Sequence, residues 1–314
     1  MLVTVAVITY NSSQFVTHTL ESVLRQTHRD IELIISDDCS TDSTLSLCQS
    51  WAERHQARFR RVVVTQTPRN MGICGNYNHA LSLAQGEYIK YIAGDDILMP
   101  DCIERFVVLV QPNAYLYFSA DDYFYRTDSN GLPVPQGHYH FPLPNVSARK
   151  QLRLMLAFHY GLAGPTIFVQ RRKLLEVCGF DMRFPMCEDW TIVMKFLSLG
   201  LRIVSTPERL VAWRVYAQSV SHSQPAFITD IERAKRHYDR TYCLRLGMPF
   251  HLYHHELERF LARHKGKGGW ARYAGYALRC LDLVHIHRRL FLPPDPNMQE
   301  AVPPSSQDND TPKP

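Results

Sequence analysis

Short apolar runs that end in polar, acid-rich loops recur through the first hundred residues. Val3 to Thr9 is β-branched and polar on neither face, which predicts a parallel strand covered by helices on both sides. Tyr10-Asn11-Ser12 breaks that run, and Ser12 or Ser13 can cap a helix burying Phe15, Leu20, Val23 and Leu24. Ile31 to Ser36 repeats the strand pattern and runs into Asp37-Asp38-Cys39-Ser40-Thr41-Asp42-Ser43-Thr44. A helix follows, with Leu45, Leu47, Cys48 and Trp51 as its apolar positions. Arg61 to Thr65 supplies a third strand, and the Gly/Asn-rich stretch Asn70 to Asn78 opens a helix through Ala84. Tyr88 to Ala93 is the fourth strand. It ends in Gly94-Asp95-Asp96, and Pro100 suits the first turn of a helix whose apolar face is Ile103, Phe106, Val107 and Val110. Strand, polar loop and helix in succession predict an α/β fold: a doubly wound, mostly parallel sheet flanked by helices, with one functional edge.

The second half keeps the rhythm less strictly. Tyr115 to Ser119 reads as a strand, and Asp121 to Asn145, rich in Tyr, Pro, Gly and His, as a hairpin or loop insertion. Its aromatic rings could stack on a ligand ring or pack the loop. Ala148 to Phe158 has a helical pattern, and Gly164-Pro165-Thr166 leads into a short strand at Ile167 to Val169. Arg171-Arg172-Lys173 fits a solvated face. Cys178 to Asp181 is a turn, Glu188-Asp189-Trp190 begins a helix, and Leu201 to Ser205 is a final strand. Beyond Pro225 the chain becomes helical, basic and His-rich, so a helical C-terminal extension is expected over 225–292. Pro293 to Pro314 has the composition of a disordered tail.

Composition adds bounds. With 314 residues, 45% of them hydrophobic, the chain can bury a large core. The net charge is only +5, but 225–292 carries 13 Lys/Arg against 6 Asp/Glu, while 1–224 carries 21 against 20. That asymmetry makes 225–292 a candidate for peripheral contact with an anionic membrane surface. Trp270 to Leu292 fits either an interfacial or a core-packing helix. No recognisable nucleic-acid-binding module accompanies the charge, so a nucleic-acid partner is not expected. The eight cysteines form no C-x-x-C pair, which favours a reducing cytoplasm. The first residues lack a basic n-region, and no apolar run approaches the roughly 18 residues of a spanning helix. A chain neither secreted nor anchored by a span is expected.

Familiar nucleotide motifs are absent. There is no G-x-G-x-x-G after the first strand and no G-x-x-x-x-G-K-[ST]. Thr9, Asp37, Asp38, Asp95 and Asp96 fall at strand ends instead, which favours nucleotide binding through acids and a metal. Asp95 and Asp96 are a natural seat for a hard divalent cation, or a solvated Asp-Asp turn. Glu188 and Asp189 complement a helix dipole, or form a partly desolvated pair beside Trp190 whose raised pKa suits a proton acceptor. His254-His255-Glu256 does not complete H-E-x-x-H, since no His follows at the required spacing; these histidines fit a surface better than a metal site.

Taken together, these stretches resemble the inverting glycosyltransferases of family 2 with the GT-A fold, the type of bacterial polysaccharide assembly. The resemblance covers about residues 1–222. It rests on Thr9-Tyr10-Asn11, the Asp37-Asp38-x-Ser40-x-Asp42-x-Thr44 element, Asn70-x-Gly72 with Asn78, Gly86-Glu87-Tyr88 through Asp96, Gly179-Phe180-Asp181, and Glu188-Asp189-Trp190. It implies a GT-A domain over 1–224, with a nucleotide-binding half at about 1–110 and an acceptor half at about 111–224.

The resemblance also implies roles. Thr9, Tyr10, Asn11, Asp37, Asp38, Asn70, Asn78 and Asp95 would bind the nucleotide, and Asp96 with Asp95 would hold Mn²⁺ or Mg²⁺ on the diphosphate. Arg214 would neutralise the leaving diphosphate, Asp189 would be the base, and Glu188, Trp190 and Gly164 would line the acceptor and sugar. The implied donor is a nucleotide-sugar, a UDP-sugar for preference with dTDP- and GDP-sugars open. The implied acceptor is a glycan or lipid-linked oligosaccharide at the inner face of a bacterial membrane. This chain departs from the pattern where the family often has an acid before the Asp-Asp pair, here Ala93-Gly94, and where it usually reads R-x-H, here Arg214-Val215-Tyr216. His222 is a weaker candidate metal ligand. A sugar nucleotidyltransferase and a non-catalytic nucleotide-sugar-binding scaffold are the alternatives; the first usually opens with a Gly-rich basic loop, and Tyr10-Asn11-Ser12-Ser13 is not one.

Overall fold

The computed structural model describes residues 1–119, 121–127, 133–140, 143–159, 164–216 and 225–263. His222, all of 264–292 including the Trp270–Leu292 stretch, and the 293–314 tail lie outside the described residues. The chain forms two compact units, Met1–Tyr238 and Asp239–Pro314.

The main sheet of the first unit has seven strands. β1 (Val3–Thr9), β2 (Ile31–Asp37), β3 (Arg61–Gln66) and β4 (Tyr88–Ala93) are the expected parallel set. β6 (Ala114–Ser119), β9 (Phe168–Gln170) and β10 (Arg202–Thr206) complete it in the order β10-β6-β9-β4-β1-β2-β3. All seven residues of β1 and of β2 are buried, as continuous apolar runs require. β9 runs antiparallel between β4 and β6. Three residues offer no periodicity from which that direction can be read.

A second sheet, β5-β11-β7-β8, joins β5 (Ile97–Leu98) and β11 (Val211–Arg214) to a hairpin of β7 (Asp121–Thr127) and β8 (Pro133–His140). The hairpin alternative for the 121–145 stretch is the one observed. β11 pairs antiparallel with β5 directly after the Asp95–Asp96 turn and parallel with β7. This small sheet therefore carries Arg214 to the acids at the end of β4.

Helices α1 (Val16–Leu24), α2 (Thr44–His55), α3 (Gly72–Leu83), α4 (Cys102–Leu109), α5 (Ala148–Phe158), α6 (Arg171–Glu176) and α7 (Glu188–Ser198) surround the sheets, and α8 (Pro225–Tyr242) and α9 (Pro249–Arg263) follow. Several local expectations change. Neither Ser12 nor Ser13 caps α1 through its side chain; the amides of Phe15 and Val16 take the Ser12 carbonyl, both at 2.9 Å. Leu47 is exposed on α2, whose buried face is Thr44, Cys48, Trp51 and Ala52. Pro100 precedes Asp101, the residue at the start of α4, rather than lying in its first turn. In the second unit His254 and His255 are buried, not on the surface, and Asp239 pairs with Arg259 and lies 3.2 Å from His255 Nδ1. A buried carboxylate needs such partners.

Candidate active site

A cavity of about 510 Å³ opens at the carboxyl ends of β1, β2 and β4. It is lined by Thr9, Tyr10, Asp38 and Asn70 on one side and by Gly164, Glu188 and Asp189 on another, with Asp95, Asp96 and Arg214 also in its wall. This is the crevice that open parallel sheets leave at their strand ends. The four acids Asp38, Asp95, Asp96 and Asp189 thus share one space, although up to 151 positions separate them in sequence.

The first wall is built by two interlocked loops. Asp42 accepts the amides of Ser13 (3.1 Å) and Thr44 (2.9 Å), Asn11 Oδ1 accepts the amide of Thr41 (2.8 Å), and Ser40 Oγ accepts the amide of Asn11 (2.8 Å). Burial opposes the charge of Asp42, but the bonds from Ser13 and Thr44 overcome it and lower its pKa to about 2. Asp37 is fully buried and does not line the cavity. Its carboxylate takes bonds from Thr9 Oγ1, the Ser40 amide and hydroxyl, and Gln66, so it shapes the loop. Asp38 does reach the cavity, where it accepts Met71 N (2.8 Å), Gly72 N (2.9 Å) and Thr67 Oγ1 (2.9 Å) and fixes the Asn70 loop. Asn78 is absent from the lining. Its amide bonds Phe180 from both ends, Nδ2 to the carbonyl at 3.0 Å and Oδ1 from the amide at 2.8 Å, locking the Gly179-Phe180 turn.

The acid turn is tightly held. Gly94 N donates to Ile8 O (2.8 Å), extending the ladder of β1, and a Cβ at Gly94 would stand 2.9 Å from Thr9 Cγ2 and 3.0 Å from Ser12 Oγ. Glycine is required here for close approach of two chains. Arg214 N donates to Asp96 Oδ1 (2.9 Å) and Arg214 Nε to the Asp95 carbonyl (3.0 Å). The guanidinium lies between the rings of Phe15, 4.2 Å away, and Tyr125, 4.7 Å away, a cation–π sandwich that pins its plane. Tyr216 OH donates to Asp95 Oδ2 (3.0 Å). Burial pushes the pKa values of Asp95 and Asp96 up, and the Asp95 charge raises Asp96 further. Burial also raises the Tyr216 phenol, keeping it a donor.

The residues present fit a hard divalent cation. Two carboxylates face one cavity, with Tyr216 OH on Oδ2 of Asp95 and the Arg214 amide on Oδ1 of Asp96. Their burial and mutual repulsion are offset when a cation stands between them.

Glu188 and Asp189 occupy the first turn of α7. Burial, then the Asp189 charge, pushes Glu188 well above the ordinary carboxylate range, whereas burial raises Asp189 to about 6, with the Trp190 amide pulling it back. Trp190, expected to line the acceptor and sugar, is 3% exposed and absent from the cavity wall, with its ring edge-on to His159 and Tyr238. Met186, which leads into α7, donates its amide to Asp230 of α8 (3.2 Å), and Phe227 of the same helix lines the cavity.

The residues missed in sequence are Ser12, Asn76, Tyr77, Trp213, Tyr216 as a hydrogen-bond donor, and Phe227. Trp213 and Tyr216 flank Arg214, and adjacency to a candidate cation was the available signal. Phe227 had none.

The family described as glycosyl transferase family 2 matches residues 4–179, more than half of the chain. The chain belongs to glycosyltransferase family 2. Asp189 and Arg214 lie beyond the matched segment, so their place rests on the geometry above. The chain is 27% identical over 222 residues to the Escherichia coli UDP-Glc:alpha-D-GlcNAc-diphosphoundecaprenol beta-1,3-glucosyltransferase WfaP, covering 70% of this chain and 80% of that protein. It is 38% identical over 104 residues to Escherichia coli chondroitin synthase, covering 33% of this chain and 14% of the synthase.

Among solved structures, TarS residues 1–349 of S. aureus in complex with UDP-GlcNAc superposes with a TM-score of 0.57 at 18% identity, covering 92% of each chain. The mannosyltransferase PcManGT of Pyrobaculum calidifontis, in complex with GDP-Man and Mn²⁺, gives 0.54 at 19% identity, covering 90% of this chain and 82% of that one. A longer TarS structure is spanned over 55% of its length. At these identities the likeness shows the fold, and the fold is the GT-A architecture. Among the described residues no helix is long and apolar enough to cross a membrane.

Proposed function

We propose that this glycosyltransferase moves a sugar, with inversion, from a UDP-sugar to a hydroxyl of a glycan or lipid-linked acceptor in bacterial surface polysaccharide assembly. The observation that carries this reading is the placement of Asp189 in the same cavity as the Asp95–Asp96 pair, with Asp38 and Thr9 in the wall as well. Asp38, Thr9, Tyr10 and Asn70 hold the nucleotide. Bound to Asp95 and Asp96, Mn²⁺ or Mg²⁺ would supply neutralisation of the diphosphate charge.

Asp189 accepts the acceptor hydroxyl's proton as that oxygen bonds to the anomeric carbon from the face opposite the nucleotide. The bond from that carbon to the diphosphate breaks, and its electron pair leaves on the nucleoside diphosphate. Arg214, its plane fixed by Phe15 and Tyr125, adds positive charge beside the leaving group. UDP is favoured by the TarS complex with UDP-GlcNAc and by WfaP's use of UDP-Glc. The lipid-linked acceptor is supported by WfaP, whose acceptor is a diphosphoundecaprenol-linked sugar.

A panel of nucleotide-sugars with Mn²⁺, scored by release of nucleoside diphosphate, tests the reading. Release of UDP from one sugar above all others is expected. Pyrophosphate release from a nucleoside triphosphate would instead identify a nucleotidyltransferase.

A further inference from the structure

Lys90 stands in the middle of β4 with its side chain fully buried. An ammonium inside a sheet costs several kcal/mol unless it is hydrogen-bonded, and no part of the proposed reaction above uses this one. Its Nζ donates to the carbonyl of Pro165, to that of Tyr91 (3.1 Å) and, at the limit of hydrogen bonding, to that of Ile167 (3.5 Å), and it lies 5.6 Å from the centre of the Phe106 ring. Of those carbonyls, Pro165 belongs to the Gly164–Thr166 turn and Ile167 joins that turn to β9.

That turn is part of the cavity wall. Gly164 and Pro165 line it beside Glu188 and Asp189. The approach is close enough that a Cβ on Gly164 would collide with Glu188 Oε1 and stand 3.8 Å from Asp189 Cβ. The Gly164 backbone thus packs directly against the Glu188 carboxylate, and Lys90 bonds the Pro165 and Ile167 carbonyls of the same segment.

We propose that Lys90 is a positioning residue for the acceptor half of the site: through the Pro165 and Ile167 carbonyls it fixes the Gly164–Thr166 turn against Glu188 and so sets the place of Asp189. This rests on the reading of Asp189 as the base. An apolar residue in the core would bury as well and cost less; a lysine instead ties β4, whose end carries Asp95 and Asp96, to the wall that carries Asp189. Small misplacements of reacting groups cost large factors in rate.

The test compares wild type with Lys90→Met, which keeps the length and removes the donors, and with Gly164→Ala, whose Cβ displaces the same turn against Glu188. Transfer kinetics, donor affinity by titration with UDP-sugar and Mn²⁺, and amide hydrogen exchange at 164–167 are measured on each. The expected result is a fall in kcat of about tenfold or more in both variants, with donor Kd within about twofold of wild type and faster exchange confined to 164–167. Unchanged kcat in Lys90→Met would overturn the proposal. So would a loss of donor affinity in proportion to kcat, which marks a general structural role. If Lys90→Met does not fold, Gly164→Ala carries the same two outcomes. A wild-type chain that transfers no sugar would remove the underlying reading, a result distinct from an active wild type with an indifferent Lys90.

Discussion

The Tyr216 phenol donates a hydrogen bond to Oδ2 of Asp95 at 3.0 Å, and its ring packs edge-on against Phe15 with centroids 4.9 Å apart. Phe15 also carries the Arg214 guanidinium on its face. One tyrosine thus orients an acid of the candidate metal seat and braces the ring that pins the cation. Where the family resemblance implies a histidine, this chain has a donor that acts on the carboxylate.

Tyr216→Phe keeps the ring contact and deletes that bond. Loss of a group that orients a ligand typically costs 10–100-fold in metal affinity, so Mn²⁺-dependent donor binding is expected to weaken by about tenfold while the thermal midpoint barely moves. Titration of donor with and without Mn²⁺ checks this. Asp96→Ala should abolish the metal dependence, and equal donor affinity with and without metal in the wild type would contradict the cation role.

Arg214→Lys preserves the charge but loses the planar stack between Phe15 and Tyr125 and the Nε bond to the Asp95 carbonyl. A reduced kcat of about tenfold or more is expected, with a smaller change in acceptor KM. Steady-state kinetics separates the two.

Gly94→Ala tests the close approach at the end of β4. Its Cβ would press on Thr9 and Ser12, whose loops are latched by Asp37 and Asp42 and cannot yield freely. Overpacking of this kind costs about 1–3 kcal/mol. A denaturant titration showing an unchanged midpoint would mean that the β1 loop is softer than its hydrogen bonds indicate.

The pH dependence follows from Asp189, raised by burial to about 6. As a base it must be ionised, so kcat should fall as pH drops through about 6 and level off above it. Its folded pKa lies above the ordinary 3.8, so the folded state holds the proton more tightly than the unfolded chain. Its contribution to stability therefore declines as pH rises from about 4 to about 6. Asp42, lowered to about 2, has the opposite sign: its contribution is present above about 3.8 and is lost as pH falls through about 2. Rate and unfolding profiles between pH 4 and 8 read both activity and the Asp189 term.

The parallel strands and their polar ends were legible because β1, β2 and β4 are mostly apolar runs that stop at polar loops, with acids at the ends of β2 and β4. Asp38, Asp95, Asp96 and Asp189 could be named for the same reason, since a strand end or first helical turn marks each. What sequence hides is where a side chain spends its hydrogen bonds. Asn78 belongs to a Gly/Asn-rich loop by composition, yet both its amide atoms are used on Phe180. Trp190 adjoins the candidate base, but helical geometry turns the next residue by about 100°, and its ring enters the core. The β11 sheet and the contribution of Phe227 depend on long-range pairing that no local period encodes.

The most direct measurement is single-turnover transfer by Asp189→Asn beside titration of its donor affinity. Asparagine keeps the shape of the side chain and removes its basicity. Donor affinity equal to wild type, with transfer reduced by about 10²-fold or more, is the predicted result. Transfer at the wild-type rate would contradict the assignment of Asp189 as the base on which the account is built.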